Sequence, residues 1–144
     1  MRALILVLAI AACSAEAPTP ANVETPSAAT AITLESMPSW ENARAAGVDF
    51  RGVGQEPGWM LDIHQSDRIV FLWDYGEQSA VFPLPAPTAP QEGATRYEAE
   101  ASGHVLTITI RRAPCQDAMS GEPFPATVEV VIDQRELDGC GRTV

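Results

Sequence analysis

From Val48 onward, turn signals break the chain into short runs whose apolar residues alternate one by one. HVLTITIRR (104–112) is the cleanest case. Leu106, Ile108 and Ile110 fall on one face, and Val105, Thr107, Thr109 and Arg111 fall on the other. A period of two marks a half-buried strand, whereas helical apolar residues recur at about 3.6. The same reading gives four more inward sets: Val48, Phe50 and Gly52; Trp59, Leu61 and Ile63; Tyr97, Ala99 and Ala101; and Val128, Val130 and Ile132. RIVFLWDYG (68–76) is a nearly continuous apolar run, and RELDGCG (135–141) closes the domain. In SAVFPL (79–84), Pro83 marks a strand end or a sheet edge. Helical spacing is confined to 39–46, where Ser39 suits an N-cap and Gly47 stands at the C′ position. The expectation is an all-β domain over 38–144. It is a small antiparallel meander or barrel of about eight strands with one short N-terminal helix, which Trp40 packs onto the barrel. Closing the meander removes edges that would otherwise invite aggregation.

The N-terminus has a different texture. Met1-Arg2 precedes an apolar run from Ala3 to Ala12, and Cys13 follows. A spanning helix needs ~20 apolar residues. This shorter run therefore reads as a signal-peptide core, residues 1–12, that is removed. Small residues leading into a cysteine resemble a bacterial lipoprotein signal. The resemblance implies that Cys13 becomes the mature N-terminus, carries acyl chains (palmitate among them) and anchors the chain on the periplasmic side of the cell envelope. Ser14 beside it favours the outer over the inner membrane, by resemblance to enteric lipoproteins. Residues 13–37 are rich in Ala, Pro, Thr, Ser and Glu. They bury too little surface to offset ordering entropy and read as a disordered tether.

Nine basic and 19 acidic residues give a formal net charge of −10, and every basic residue is arginine. Such a chain lacks the clustered cations that nucleic acid requires. Anionic lipid head groups repel it, so membrane attachment falls to the acyl chains. A macromolecular partner would be cationic, such as a basic envelope protein. With Cys13 acylated, Cys115 and Cys140 form an even pair in an exported, oxidising setting, which favours a disulfide. The alternative is two buried thiols that never meet.

Two segments are unusual, Asp49-Phe50-Arg51-Gly52-Val53-Gly54-Gln55-Glu56-Pro57-Gly58-Trp59 and Cys115-Gln116-Asp117-Ala118-Met119-Ser120-Gly121 with Pro123-Phe124-Pro125, and the closing Leu137-Asp138-Gly139-Cys140 joins them. Together they resemble an uncharacterised family of bacterial envelope lipoproteins with F-R-x-x-G-x-E-P-x-W, C-x-D-x-M-S and terminal G-C motifs. The resemblance spans about 39–142. It implies kinship and envelope location, and it brings no established activity with it.

Within these segments, Glu56-Pro57-Gly58 is a tight turn. Trp59 then plugs one end of the barrel, with Arg51 near enough to stack on it or to pair with Glu56. Asp117 and Ser120 bond nearby amides and hold a loop. Met119 either fills a gap or joins Asp117 and a histidine in binding copper. His64, opposite the Trp59/Leu61/Ile63 face, is expected in solvent. His104 begins an exposed strand. No G-x-S-x-G elbow, phosphate-binding glycine loop or metal-ligand spacing is present. Arg51, Glu56, Trp59, Asp117 and Met119 are the candidate binding residues. The expected function is non-enzymatic and cofactor-free: a membrane-anchored binding or envelope-maintenance module. Two alternatives are an inhibitor of a basic wall-degrading enzyme such as lysozyme, and a periplasmic copper binder. The Ser-Gly-x-x-Tyr loop of lipoprotein lysozyme inhibitors is not matched, since His104, Val105 and Leu106 follow Ser102-Gly103.

Overall fold

The computed structural model describes residues 32–144. The expected signal peptide, Cys13 and the tether as far as residue 31 lie outside the described residues. The strands are β1 (Phe50–Gly54), β2 (Trp59–His64), β3 (Arg68–Trp73), β4 (Gln78–Pro83), β5 (Ala94–Ala101), β6 (His104–Arg111), β7 (Cys115–Gln116), β8 (Pro123–Phe124), β9 (Ala126–Ile132) and β10 (Arg135–Thr143). Eight of them form one sheet in the order β4-β3-β2-β1-β10-β9-β6-β5, and β7 and β8 form a separate small ribbon. Every pairing is antiparallel. Round the sheet the order follows the chain, with β1 laid against β10. The two outermost strands, β4 and β5, approach each other and leave a nearly closed barrel. The loop between them folds back on the open side of β5, where Thr88 and Arg96 exchange backbone hydrogen bonds of 2.8 Å. An exposed strand edge is thereby covered.

The period-two sets point inward, except Val48, which is buried outside this core. Trp59, Leu61, Ile63, Ile69, Phe71, Phe82, Tyr97, Leu106, Ile108, Val128, Val130 and Ile132 form one buried core, with Phe50, Ala101 and Ile110 packed partly against it. Trp59 reaches far across this space because glycine lies beneath it. A Cβ on Gly139 would stand 2.5 Å from the Trp59 ring, and one on Gly54 would overlap its indole nitrogen. The indole N–H instead donates to the Asp138 carbonyl at 3.3 Å. All strands, the core and the disulfide fall within 50–143, so the described residues carry what a folded unit needs.

The segment expected as a two-turn helix, 39–46, closes instead as successive turns over 40–47. Its end keeps the helical stop. Gly47 has φ +84°, its N–H donates to the Arg44 carbonyl, and the Val48 N–H donates to the Ala43 carbonyl. That pair of bonds is a Schellman motif. Upstream, Leu34–Ser36 forms a 3-10 turn closed by a Thr33/Ser36 capping box. This turn lies inside the stretch read as tether.

The turns over 40–47 cover the outer face of β1 and β2, where Ala43 and Val48 are buried. This cover corrects one expectation: His64 is 6% exposed, not solvated. Alternation assigned its face correctly, but another segment lies over that face.

Candidate functional site

Cys115 and Cys140 form a disulfide, with 5.6 Å between their Cα atoms. It ties β7 to β10. The simple loop model gives this link about 3.5 kcal/mol of chain-entropy stabilisation. On one side of the bridge the 117–121 loop turns about Asp117. Asp117 Oδ1 accepts the Met119 N–H at 3.2 Å, the Ser120 N–H at 2.7 Å and the Ser120 hydroxyl at 2.7 Å. Its Oδ2 accepts from Gln55 Nε2 at 2.9 Å. These donors favour the ionised form, led by the Ser120 amide, and lower the Asp117 pKa to about 2. The loop reading of Asp117 and Ser120 therefore matches the structure. Gln55 is a partner that sequence did not announce.

Through the Gln55–Asp117 bond and the disulfide, the two unusual segments and the closing one converge beside one end of the barrel. Between them lies a groove of about 570 Å³. Its lining includes Glu56, Asp117, Glu129, Glu136 and Asp138, with Arg111 the one cation, bonded to Glu129 at 3.1 Å. Glu129 and Asp138 stand directly opposite each other across β9 and β10. Like charges at directly opposed positions destabilise a sheet. One arginine offsets Glu129, and Asp138 and Glu136 remain available to a cation. Glu56 at the rim accepts the Tyr75 hydroxyl at 3.0 Å, and this bond raises the Tyr75 pKa.

The other candidates are placed elsewhere. Arg51 neither stacks on Trp59 nor pairs with Glu56. Its Nε and Nη2 donate to Asp62 Oδ1 and Oδ2 at 2.6 and 2.7 Å, in a pair that is 1% and 0% exposed. Arg51 and Asp62 are register partners on the outer face, while Trp59 points inward. The aromatic over Arg51 is Trp40, 5.1 Å from the guanidinium carbon. Arg142 also lies over Trp40 at 4.3 Å and over Phe124 at 5.1 Å, and it bonds Glu122 at 2.7 Å. Trp40 thus packs the N-terminal turns onto the barrel, as expected, through arginine stacking.

Met119 fills no gap: it is 73% exposed. It lines a cleft of about 300 Å³ with Trp40, Gln55 and Phe124. Its proposed copper partners are occupied, Asp117 by the loop and His104 by Asp133 at 2.6 Å. That bond lowers the Asp133 pKa, with the Val105 amide helping. Among the described residues, no three His, Cys, Asp or Glu side chains are grouped to hold a metal ion.

No family model matches the chain, and no curated protein or solved structure matches it either.

Proposed function

We propose that this chain is a lipid-anchored protein of the bacterial envelope whose barrel is a non-catalytic binding module for a cationic partner. Cys13 carries the anchor, the proline-rich tether gives reach, and the acidic groove beside the disulfide is the contact surface. The observation that supports the reading most is the opposition of Glu129 and Asp138, of which Arg111 offsets only Glu129, on a wall held by the Cys115–Cys140 bridge. Rigid, opposed carboxylates in a concave surface favour a guanidinium or ammonium group inserted from outside. The net charge of −10 adds long-range steering of basic proteins.

A basic wall-degrading enzyme is the partner class first in line, so lysozyme activity titrated with the protein is the direct test. Inhibition should weaken as salt rises and be lost in a Glu136→Gln/Asp138→Asn variant. Absence of inhibition at micromolar protein removes lysozyme. Absence of any salt-sensitive capture of basic envelope proteins after crosslinking removes the binding reading itself. The anchor is tested separately: radiolabelled palmitate should enter the chain and should fail to enter a Cys13→Ala variant.

A further inference from the structure

The end of the barrel where β1, β5 and β9 begin holds a second cavity, of about 690 Å³. Its walls include the inward-facing Phe50, Ile63, Tyr97 and Ile110, the lowest layer of the core. Small-molecule sites have this size and occur in the mouths of barrels. Two features give it chemistry beyond apolar packing. First, Tyr97 is 6% exposed, yet its hydroxyl takes part in no side-chain hydrogen bond among the described residues. No fully enclosed side-chain polar atom lacks a partner, so this hydroxyl opens onto the cavity. Second, the rim lacks the acidic excess of the whole chain and holds one cation without a carboxylate partner. The rim carries Arg112 and Arg142 against the single carboxylate Asp49, which already accepts the Gln65 N–H at 2.8 Å. Arg142 is held by Glu122 and by its aromatic stack. Arg112 is exposed and has no carboxylate within 4.0 Å among the described residues.

We propose that this mouth binds a small amphipathic carboxylate, with its alkyl body against Phe50, Ile63 and Ile110. The Tyr97 hydroxyl and the Arg112 guanidinium donate to its carboxylate. The site lies apart from the acidic groove and takes a ligand of opposite charge, so the two readings stand or fall independently.

Isothermal titration of residues 32–144 with decanoate, decanol and decylammonium tests the proposal. Decanoate should bind saturably at one site. Decanol should bind roughly tenfold more weakly, and Arg112→Gln should weaken decanoate by a similar factor. Tyr97→Phe, which deletes only the hydroxyl, should weaken it by about fivefold. Thermal melts matching the parent show that each variant is folded, and exposed Arg112→Gln decides alone if Tyr97→Phe is not. The proposal is overturned by no saturable decanoate binding, by decylammonium binding as tightly, or by unchanged affinity in folded Arg112→Gln.

Discussion

The two faces of the sheet are built on opposite chemistry. Inside the barrel, Leu61, Ile63, Phe71, Phe82, Leu106 and Ile108 pack without charge. Outside β1, β2 and β10 lies a second layer, buried at Arg51, Asp62 and Cys140 and half-buried at Cys115, Trp40 and the Arg142 stacked with it. The inner layer coheres because each member is apolar, so water is expelled whichever neighbour it meets. The outer layer coheres only if partners meet in one register. An arginine in this layer without its aspartate would be a buried, unpaired charge.

The comparison can be broken first from the inside. Phe71→Ala should lower stability by about 3–5 kcal/mol, read from denaturant midpoints at unchanged slope. Outside, Arg51→Met alone should also cost about 3–5 kcal/mol, because Asp62 is left buried without its cation. Combining it with Asp62→Leu should recover most of that loss, as apolar replacements of buried pairs do. A double variant as unstable as the single one would show that the outer layer needs its charges for more than mutual neutralisation. Reducing the disulfide comes next, at about 3.5 kcal/mol by the loop model. It should loosen the 115–124 segment while the inner core keeps its amide protection.

The smallest effect concerns Asp117. Its folded pKa, about 2, lies below the ordinary 3.8. Its contribution is therefore complete above pH 3.8 and is lost as pH falls toward 2. A carboxyl carbon titration by NMR should give the depressed midpoint. Asp117→Asn should flatten the acid-side loss of stability, and an ordinary midpoint would mean that the loop does not close on this side chain.

The inner face was legible because its message is local. In 104–111 or 126–132, each residue's own place in the alternation assigns its side. The outer layer was not legible by that means, since Asp62 and His64 occupy positions that alternation gives to solvent. What buries them is the covering segment 40–48, distant along the chain. One signal was present nonetheless. The Glu56-Pro57-Gly58 turn sets Gly54 opposite Trp59, and that register places Arg51 opposite Asp62. Following the register, not the proximity in sequence of Glu56, would have found the pair. Gln55 bonding Asp117 had no such signal, because it depends on where the disulfide brings the second loop. The helix expected at 39–46 failed in its body and held at its stop. Gly47 needs only local conformation, whereas so short a helix must draw its stability from packing.

Because β1 and β10 are neighbours, the Val144 N–H donates to the Asp49 carbonyl at 3.0 Å, and the barrel is in effect a ring with one covalent gap. The architecture does not require the gap to lie there. A circular permutant that joins residue 144 to residue 38 through a flexible glycine linker, keeping the 40–48 cover, with new termini cut into the exposed 85–93 connection, should rebuild the same barrel. Its chain would begin with β5 and end with β4, leaving both free ends at the one place where the sheet never zips shut.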